Sequence, residues 1–435
     1  MNPDISGYWH GVLDTGSAKV KLVFRLDPET QGGVAVLRTT VQGDVSRPLR
    51  RQGERIAFDA TGFDIALDFA LDSSGVRLEG VCRHADADYP VAFERGLPPP
   101  PVRAPRPQTP APPFPYETRT VEFEAADASR LAGTLTLPAG QPPHACVVLS
   151  SWFGQCDRDQ TTAGHRPFAI WADALTRRGL ATLRYDKRGV GESSGAFDQT
   201  TTADSAADLA RAVAFLRNLP EIDPARIGLM GHSEGGHISA DVAANDHAVA
   251  FCVMLTPSGV TEEVMFETEL FRAAIAVGAT PIRPERRIRL AHALAEAERA
   301  ATAEEAVALT RAVLEDIARE RGFPPEHIEW RAAFAASPWR RHWRRYDHTA
   351  GLRSLTCPVL IVFAGQDLQT PPAYHAPSVR AALARQPRAA IVELPGLNHL
   401  LQTAKTGAHS EYVDIEETLA PEAIRTVCDW VCRTA

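Results

Sequence analysis

"RIGLMGHSEGGHISADVAA", residues 226–244, runs from a short apolar stretch, through a serine flanked by glycines, into an alanine-rich stretch. The apolar run has the length of a buried strand, and the segment after the glycines has the composition of a helix. Between them Gly231, Ser233 and Gly235 form G-x-S-x-G. A side chain presented on so tight a strand-to-helix turn needs neighbours without bulk, which Gly231, Gly235 and Gly236 supply. The same turn aims backbone amides and the positive end of a helix at the serine, where negative charge would develop. The competing reading is a serine that merely caps the helix. The strand before it and the helix after it favour a nucleophile.

A serine hydroxyl is a poor nucleophile without a base, and the base needs an orienting acid. When the nucleophile sits on such a turn, acid and base are expected later in the chain, each on a loop after a strand. "PVLIVFAGQDLQTPP" offers Asp367 shortly after an apolar run, and "AAIVELPGLNHLLQ" offers His399 in the same relation to the next. Other candidates fit less well. Asp347 and His348 precede a strand, His232 reads as packing, and Asp186, ahead of the serine in "RYDKRGVGESSG", reads as the buttress of a glycine-rich turn.

Around this centre the chain divides at "LPPPPVRAPRPQTPAPPFP", residues 97–115, which is too rich in proline for helix or inner strand. It predicts an extended spacer over 98–115 between residues 1–97 and 116–435. The front segment alternates with period two. Val20, Leu22, Phe24 and Leu26 share one face of "KVKLVFRL", and Phe63, Ile65, Leu67, Phe69 and Leu71 alternate with aspartates in the next such run. This predicts a small antiparallel β domain, a sandwich or a barrel. After the spacer, "RTVEFEA" and "LAGTLTL" suggest a hairpin. Apolar runs then alternate with helical stretches, such as the Ala206, Leu209, Val213, Leu216 stripe. The expected class is α/β, with a mostly parallel sheet. Residues 258–350 are too long for a simple connection and predict a helical cap insertion, with Thr302 and Glu305 at capping-box spacing and Leu309, Val313 and Ile317 along one stripe.

Composition sets limits. The 435 residues suffice for two or three domains, and a net charge of −8 argues against nucleic acid or an anionic membrane as partner. The local cluster "WRRHWRR", 339–345, reads as an amphipathic cap segment whose tryptophans pack down. Seven cysteines without a C-x-x-C pair fit reduced thiols. No leader pattern or long apolar run is present, which predicts a cytoplasmic location.

The stretches "RYDKRGVGESSG", "GHSEGG", "CPVLIVFAGQDLQTPP" and "LPGLNHLLQTAKTG" together resemble bacterial α/β-hydrolase carboxylesterases related to dienelactone hydrolases and serine aminopeptidases. The resemblance extends to the front segment "ISGYWHGVL" and thins in the cap. It implies an α/β-hydrolase fold, with Ser233 as nucleophile, Asp367 as orienting acid and His399 as general base. Where such proteins often read "ISGSGPQDRD", this chain reads "SSWFGQCDRD" over 150–159. That alignment puts one oxyanion amide on Phe153 and the second on Glu234. Trp152 then stands where glycine is usual, which predicts either a reshaped substrate pocket or a tryptophan turned outward to pack under the cap. Asp157, Arg158 and Asp159 are expected to brace this loop by ion pairs. The implied activity is hydrolysis of small to medium acyl esters, with no metal or organic cofactor needed. A peptidase or amidase of the same fold and a non-catalytic binding protein are the alternatives, and an oligomer through the front domain or cap is an open option.

Overall fold

The computed structural model describes residues 4–14, 19–28, 33–39, 43–52, 54–60, 65–84, 87–98, 105–261, 292–321 and 325–435. By backbone contacts the chain forms two units, residues 1–102 with 274–336 and residues 103–273 with 337–435.

In the first unit nine strands form one antiparallel sheet: β1 Gly7–Asp14, β2 Lys19–Asp27, β3 Val34–Thr39, β4 Gly43–Pro48, β5 Arg50–Gln52, β6 Arg55–Ala60, β7 Ile65–Leu71, β8 Arg77–His84 and β9 Ala87–Arg95. Their order is β4-β3-β2-β1-β9-β8-β7-β6-β5. The first strand pairs with the ninth, setting Trp9 opposite Arg95 and Gly11 opposite Phe93. The result is a single curled sheet in place of a two-sheet sandwich. Alternation decides which side chains lie inside: Leu22, Phe24, Leu26, Leu67 and Phe69 are all buried. Phe63 and the side chains of Val20 and Ile65 lie outside the described residues. Phe24 is the hub of the inner face, with ring centroids 5.3 Å from Phe58, 5.6 Å from Phe69 and 4.8 Å from Phe93. Edge-to-face and offset-stacked contacts of these kinds add to the burial of apolar area.

The same unit holds helices α4, Ala303–Arg321, and α5, Pro325–Ala336. Thr302 Oγ1 accepts the Glu305 amide, as the capping spacing predicts, while the Glu305 carboxylate takes the amide of Ala301. The expected apolar stripe is displaced. Ala306, Thr310 and Leu314 are the buried positions, and Leu314 packs with Leu294 and Ile328. Val313 sits at the margin of that cluster and Leu309 is 43% exposed. The side chain of Ile317 and residues 262–291 of the expected cap lie outside the described residues.

In the second unit eight strands run in the order β10-β11-β13-β12-β14-β15-β16-β17. They are β10 Glu117–Glu124, β11 Arg130–Leu137, β12 His144–Ser150, β13 Ala181–Tyr185, β14 Ile222–His232, β15 Cys252–Leu255, β16 Val359–Ala364 and β17 Ala389–Leu394. The first two form the expected hairpin, and β12 through β17 are parallel. Each central strand is buried on both faces, so alternate residues enter different cores. Val148, Leu229 and Met254 join one core with α2, Thr202–Arg217, and α3, Glu234–Asn245. Val147, Met230 and Val253 join the other with α1, Pro167–Thr176, and the C-terminal helix Pro421–Thr434.

The proline-rich stretch is only partly a spacer. From residue 105 it lies on the second unit. Arg106 donates to the carbonyls of Ala163, Val413 and Ile415, and Gln108 bonds the backbone of Thr418 and Leu419. Residues 99–104 lie outside the described residues.

Phe24→Ala is expected to destabilise the first unit by about 3–5 kcal/mol, the usual cost of an emptied aromatic core position. A fall in that unit's thermal or denaturant midpoint checks this; an unchanged midpoint would show that the sheet does not depend on the phenylalanine cluster.

Candidate active site

The parallel strands deliver their loops to one end of the sheet, and the turn after β14 is the tightest of them. Ser233 has φ 55° and ψ −119°, a conformation that non-glycine residues rarely adopt. It stands at the N-cap position of α3, yet its side chain makes no capping hydrogen bond, so the reading as a simple helix cap is excluded. The neighbouring glycines are sterically required. A Cβ on Gly231 would lie 1.9 Å from the Gly235 carbonyl oxygen, and one on Gly235 would lie 2.0 Å from that of Ser150. Gly236 is less constrained, its nearest neighbour being Met254 Cβ at 3.2 Å.

Asp367 and His399 meet after β16 and β17. His399 Nδ1 donates to Asp367 Oδ2 at 2.7 Å, and both side chains are buried. The carboxylate also accepts from the Thr370 hydroxyl at 2.6 Å and from the amides of Gln369 and Thr370. Burial alone would raise the Asp367 carboxyl. The charge and hydrogen bond of His399, with donation from Thr370, outweigh burial and hold it at about 2. Because Nδ1 carries the proton shared with Asp367, a neutral His399 keeps Nε2 as an acceptor. Local geometry fixes this histidine: Asn398 Oδ1 accepts the amides of Leu400 and Gln402, closing the loop around it. The structure thus brings Asp367 and His399 together. It records no hydrogen bond between the Ser233 hydroxyl and His399.

His232, expected only to pack, has a defined place. Trp152 N–H donates to Gln160 Oε1, Gln160 Nε2 donates to His232 Nδ1 at 2.7 Å, and His232 Nε2 donates to the His399 carbonyl at 2.8 Å. Burial lowers the His232 pKa to about 3, with the nearby His399 adding to the effect, so the ring stays neutral as this chain of bonds requires. Trp152 is half-buried, its ring 5.1 Å from that of His232. The ring contact with the expected cap is made by its neighbour instead: Phe153 lies 3.9 Å from Trp339, centroid to centroid, on helix α6, Pro338–Trp343. Trp339 stacks on Trp343, which is buried, as the amphipathic reading predicts.

Glu234 is buried and hydrogen-bonded on one oxygen by Thr202 Oγ1 at 2.6 Å and Trp339 Nε1 at 2.7 Å. In "DRD", Arg158 pairs with Asp186 at 2.6 Å and with Glu192, and Asp159 pairs with Arg184 at 2.7 Å. Asp157 instead accepts the amides of Asp159 and Thr161. Asp186 does buttress the glycine-rich turn. It accepts the Glu192 amide, and a Cβ on Gly191 would lie 2.6 Å from its carboxylate. His348 does not join Asp367 and His399. It bonds Ser258 at 2.6 Å, and Ser258 bonds His237, while Asp347 pairs with Arg353. Sequence reasoning missed Thr370 and Gln160; the threonine three residues beyond an aspartate in "DLQT" was the one local signal.

A family model described as the alpha/beta hydrolase family matches residues 150–406, more than half of the chain. The chain belongs to the alpha/beta hydrolase family. The eight-stranded unit has this family's fold, and the curled sheet precedes it. Esterase EstD of Thermotoga maritima is 25% identical over 249 residues, covering 57% of this chain and 53% of its own, so the chain spans about half the length of that relative. An uncharacterised 31.7 kDa protein of Escherichia coli is 26% identical over 249 residues, covering 56% of this chain and 79% of its own. Among solved structures, an esterase of Pyrococcus furiosus aligns with 69% of this chain and 91% of its own, at TM-score 0.43 and 15% identity. Among the described residues no helix is long and apolar enough to cross a membrane.

Arg158→Leu is expected to cost about 3–5 kcal/mol at pH 7, because it leaves Asp186 buried without its cation. Burial by itself raises the Asp186 carboxyl, and the bonds from Arg158 and the Glu192 amide bring it below the usual range. The wild-type contribution is therefore present at neutral pH and is lost as pH falls through the depressed pKa. In the variant Asp186 relieves the penalty by protonating, so the deficit should shrink on acidification to pH 4. Denaturant unfolding at the two pH values checks this; a deficit independent of pH would show that Asp186 is not the group left unpaired.

Proposed function

We propose that this alpha/beta hydrolase is a serine carboxylesterase acting on small to medium acyl esters, with the catalytic machinery in residues 116–435 and a cap insertion at about 258–350. The observation that carries the reading is the buried His399–Asp367 pair, 2.7 Å apart, on loops of the sheet that also carries the strained turn at Ser233. A relative named as an esterase supports the ester class.

In this reading His399 Nε2 takes the proton of the Ser233 hydroxyl as the serine oxygen attacks the ester carbonyl. The oxyanion is held by the amides of Phe153 and Glu234. Among the described residues neither amide has a protein hydrogen-bond partner. His399 then protonates the leaving alcohol. Water, activated by the same imidazole, cleaves the acyl-enzyme and returns the proton to Ser233. Asp367, ionised over the whole working range of pH, keeps the imidazole in the tautomer that accepts at Nε2. Trp152, against His232 and beside the Phe153 amide, walls the acyl side.

Ser233→Ala is expected to lower kcat on p-nitrophenyl butyrate at least about 10³-fold and to abolish fluorophosphonate labelling, with the melting temperature retained. Full turnover in the variant would refute the nucleophile. Trp152→Gly is expected to change the kcat/KM ratio between octanoyl and acetyl esters about tenfold in favour of the longer chain. An unchanged chain-length preference would remove Trp152 from the pocket wall.

A further inference from the structure

Only four of the 46 Lys and Arg residues are lysine, and one of them, Lys187, lies 11% exposed at the oxyanion loop. Its Nζ donates to the Trp152 carbonyl at 2.5 Å and stands 3.7 Å from Glu234 Oε2. Its own amide donates to the carbonyl of Cys156, which anchors the lysine to the same loop. We propose that Lys187 is a positioning residue for the oxyanion hole, aligning and polarising the Phe153 amide donor while its charge faces the side chain of Glu234, which supplies the second. This inference rests on the reading of the Phe153 and Glu234 amides as those donors.

The argument is one of peptide geometry. The bond between Trp152 and Phe153 is trans, so the Trp152 carbonyl and the Phe153 N–H point in opposite directions within one plane. Holding the carbonyl therefore sets the direction of the N–H. Gln160 holds the Trp152 amide on the other side at 3.0 Å, so the residue before the donor is gripped at both its backbone groups. A cation at the carbonyl oxygen also draws electron density through the peptide resonance and makes the Phe153 N–H a stronger donor. The same ammonium faces the carboxylate of Glu234, whose amide is the second donor. One charge thus spans the two residues that supply the oxyanion contacts. Lysine suits the task because its compact head reaches a single carbonyl, whereas the planar fork of arginine is built for paired acceptors.

Lys187 touches neither substrate nor Ser233 in this scheme, so its removal should affect the transition state more than the bound substrate. Loss of a whole oxyanion donor lowers kcat about 10²–10³-fold, and a weakened donor should give a smaller effect. The experiment compares wild type, K187M and K187R as full chains, with p-nitrophenyl butyrate as substrate and butylboronic acid as an adduct that places an anionic oxygen in the hole. In K187M kcat is expected to fall roughly 10–100-fold with KM within about twofold, and boronate affinity to fall in parallel with kcat. K187R, which keeps a cation there and guards against misfolding of the uncharged variant, is expected to lose less than about tenfold. A K187M variant with wild-type kcat and boronate affinity would overturn the proposal, as would a kcat loss that leaves boronate affinity untouched. If Ser233→Ala keeps full activity, or wild type binds no boronate, the esterase reading itself fails and this inference with it.

Discussion

The second unit depends on a backbone contact that tolerates no side chain. Where β14 turns into α3, Gly235 lies against the carbonyl of Ser150 at the end of β12, and Gly231 lies against the carbonyl of Gly235. This closeness lets the helix start directly over the strand and forces Ser233 into its left-handed conformation. Such strain persists only when the surroundings over-determine it. Here two cores do so, one on each face of the sheet, together with the Ser233 amide bonded to Leu255 at 2.8 Å.

From that turn the polar structure spreads outward in connected steps. His232 reaches the backbone of His399 on one side and Gln160 on the other, and Gln160 reaches the loop of Trp152. Glu234 ties Thr202 at the start of α2 to Trp339 on α6. The residues on either side of Ser233 thus fix the histidine loop, the loop of Trp152 and Phe153, and the short tryptophan helix. Buried polar groups linked in this way are costly when left unpaired, which favours one arrangement over many.

What was legible in the sequence was what local chemistry marks. Ser233, Asp367 and His399 each follow an apolar run that forms a buried strand, and order and context singled out Asp367 and His399, which the fold brings together. The period-two alternation located the strands of the front unit and their inner faces. It is the same in a sandwich and in a curled sheet, and the pairing of β1 with β9 that separates the two is a long-range event. In α4 the spacing of Leu309, Val313 and Ile317 matched a helix as well as that of Ala306, Thr310 and Leu314. The Ala306, Thr310 and Leu314 face is the buried one because Leu314 packs there with Leu294 and Ile328, which lie outside the helix. Gln160 and Lys187 act through space on a loop near them only in the fold, so no spacing rule marks them.

The docked proline-rich segment bears on where this enzyme unit begins. Arg106 and Gln108 satisfy carbonyls and amides of residues 413, 415, 418 and 419, about three hundred positions away, and nearby Gln402 and His165 bond the same stretch at Glu417, Thr418 and Tyr412. A fragment cut at the first strand of the hydrolase sheet would leave those backbone groups without their partners, beside the loop that carries His399. The boundary of a self-sufficient fragment is therefore set by hydrogen-bond closure rather than by the first strand, and it falls ahead of Arg106.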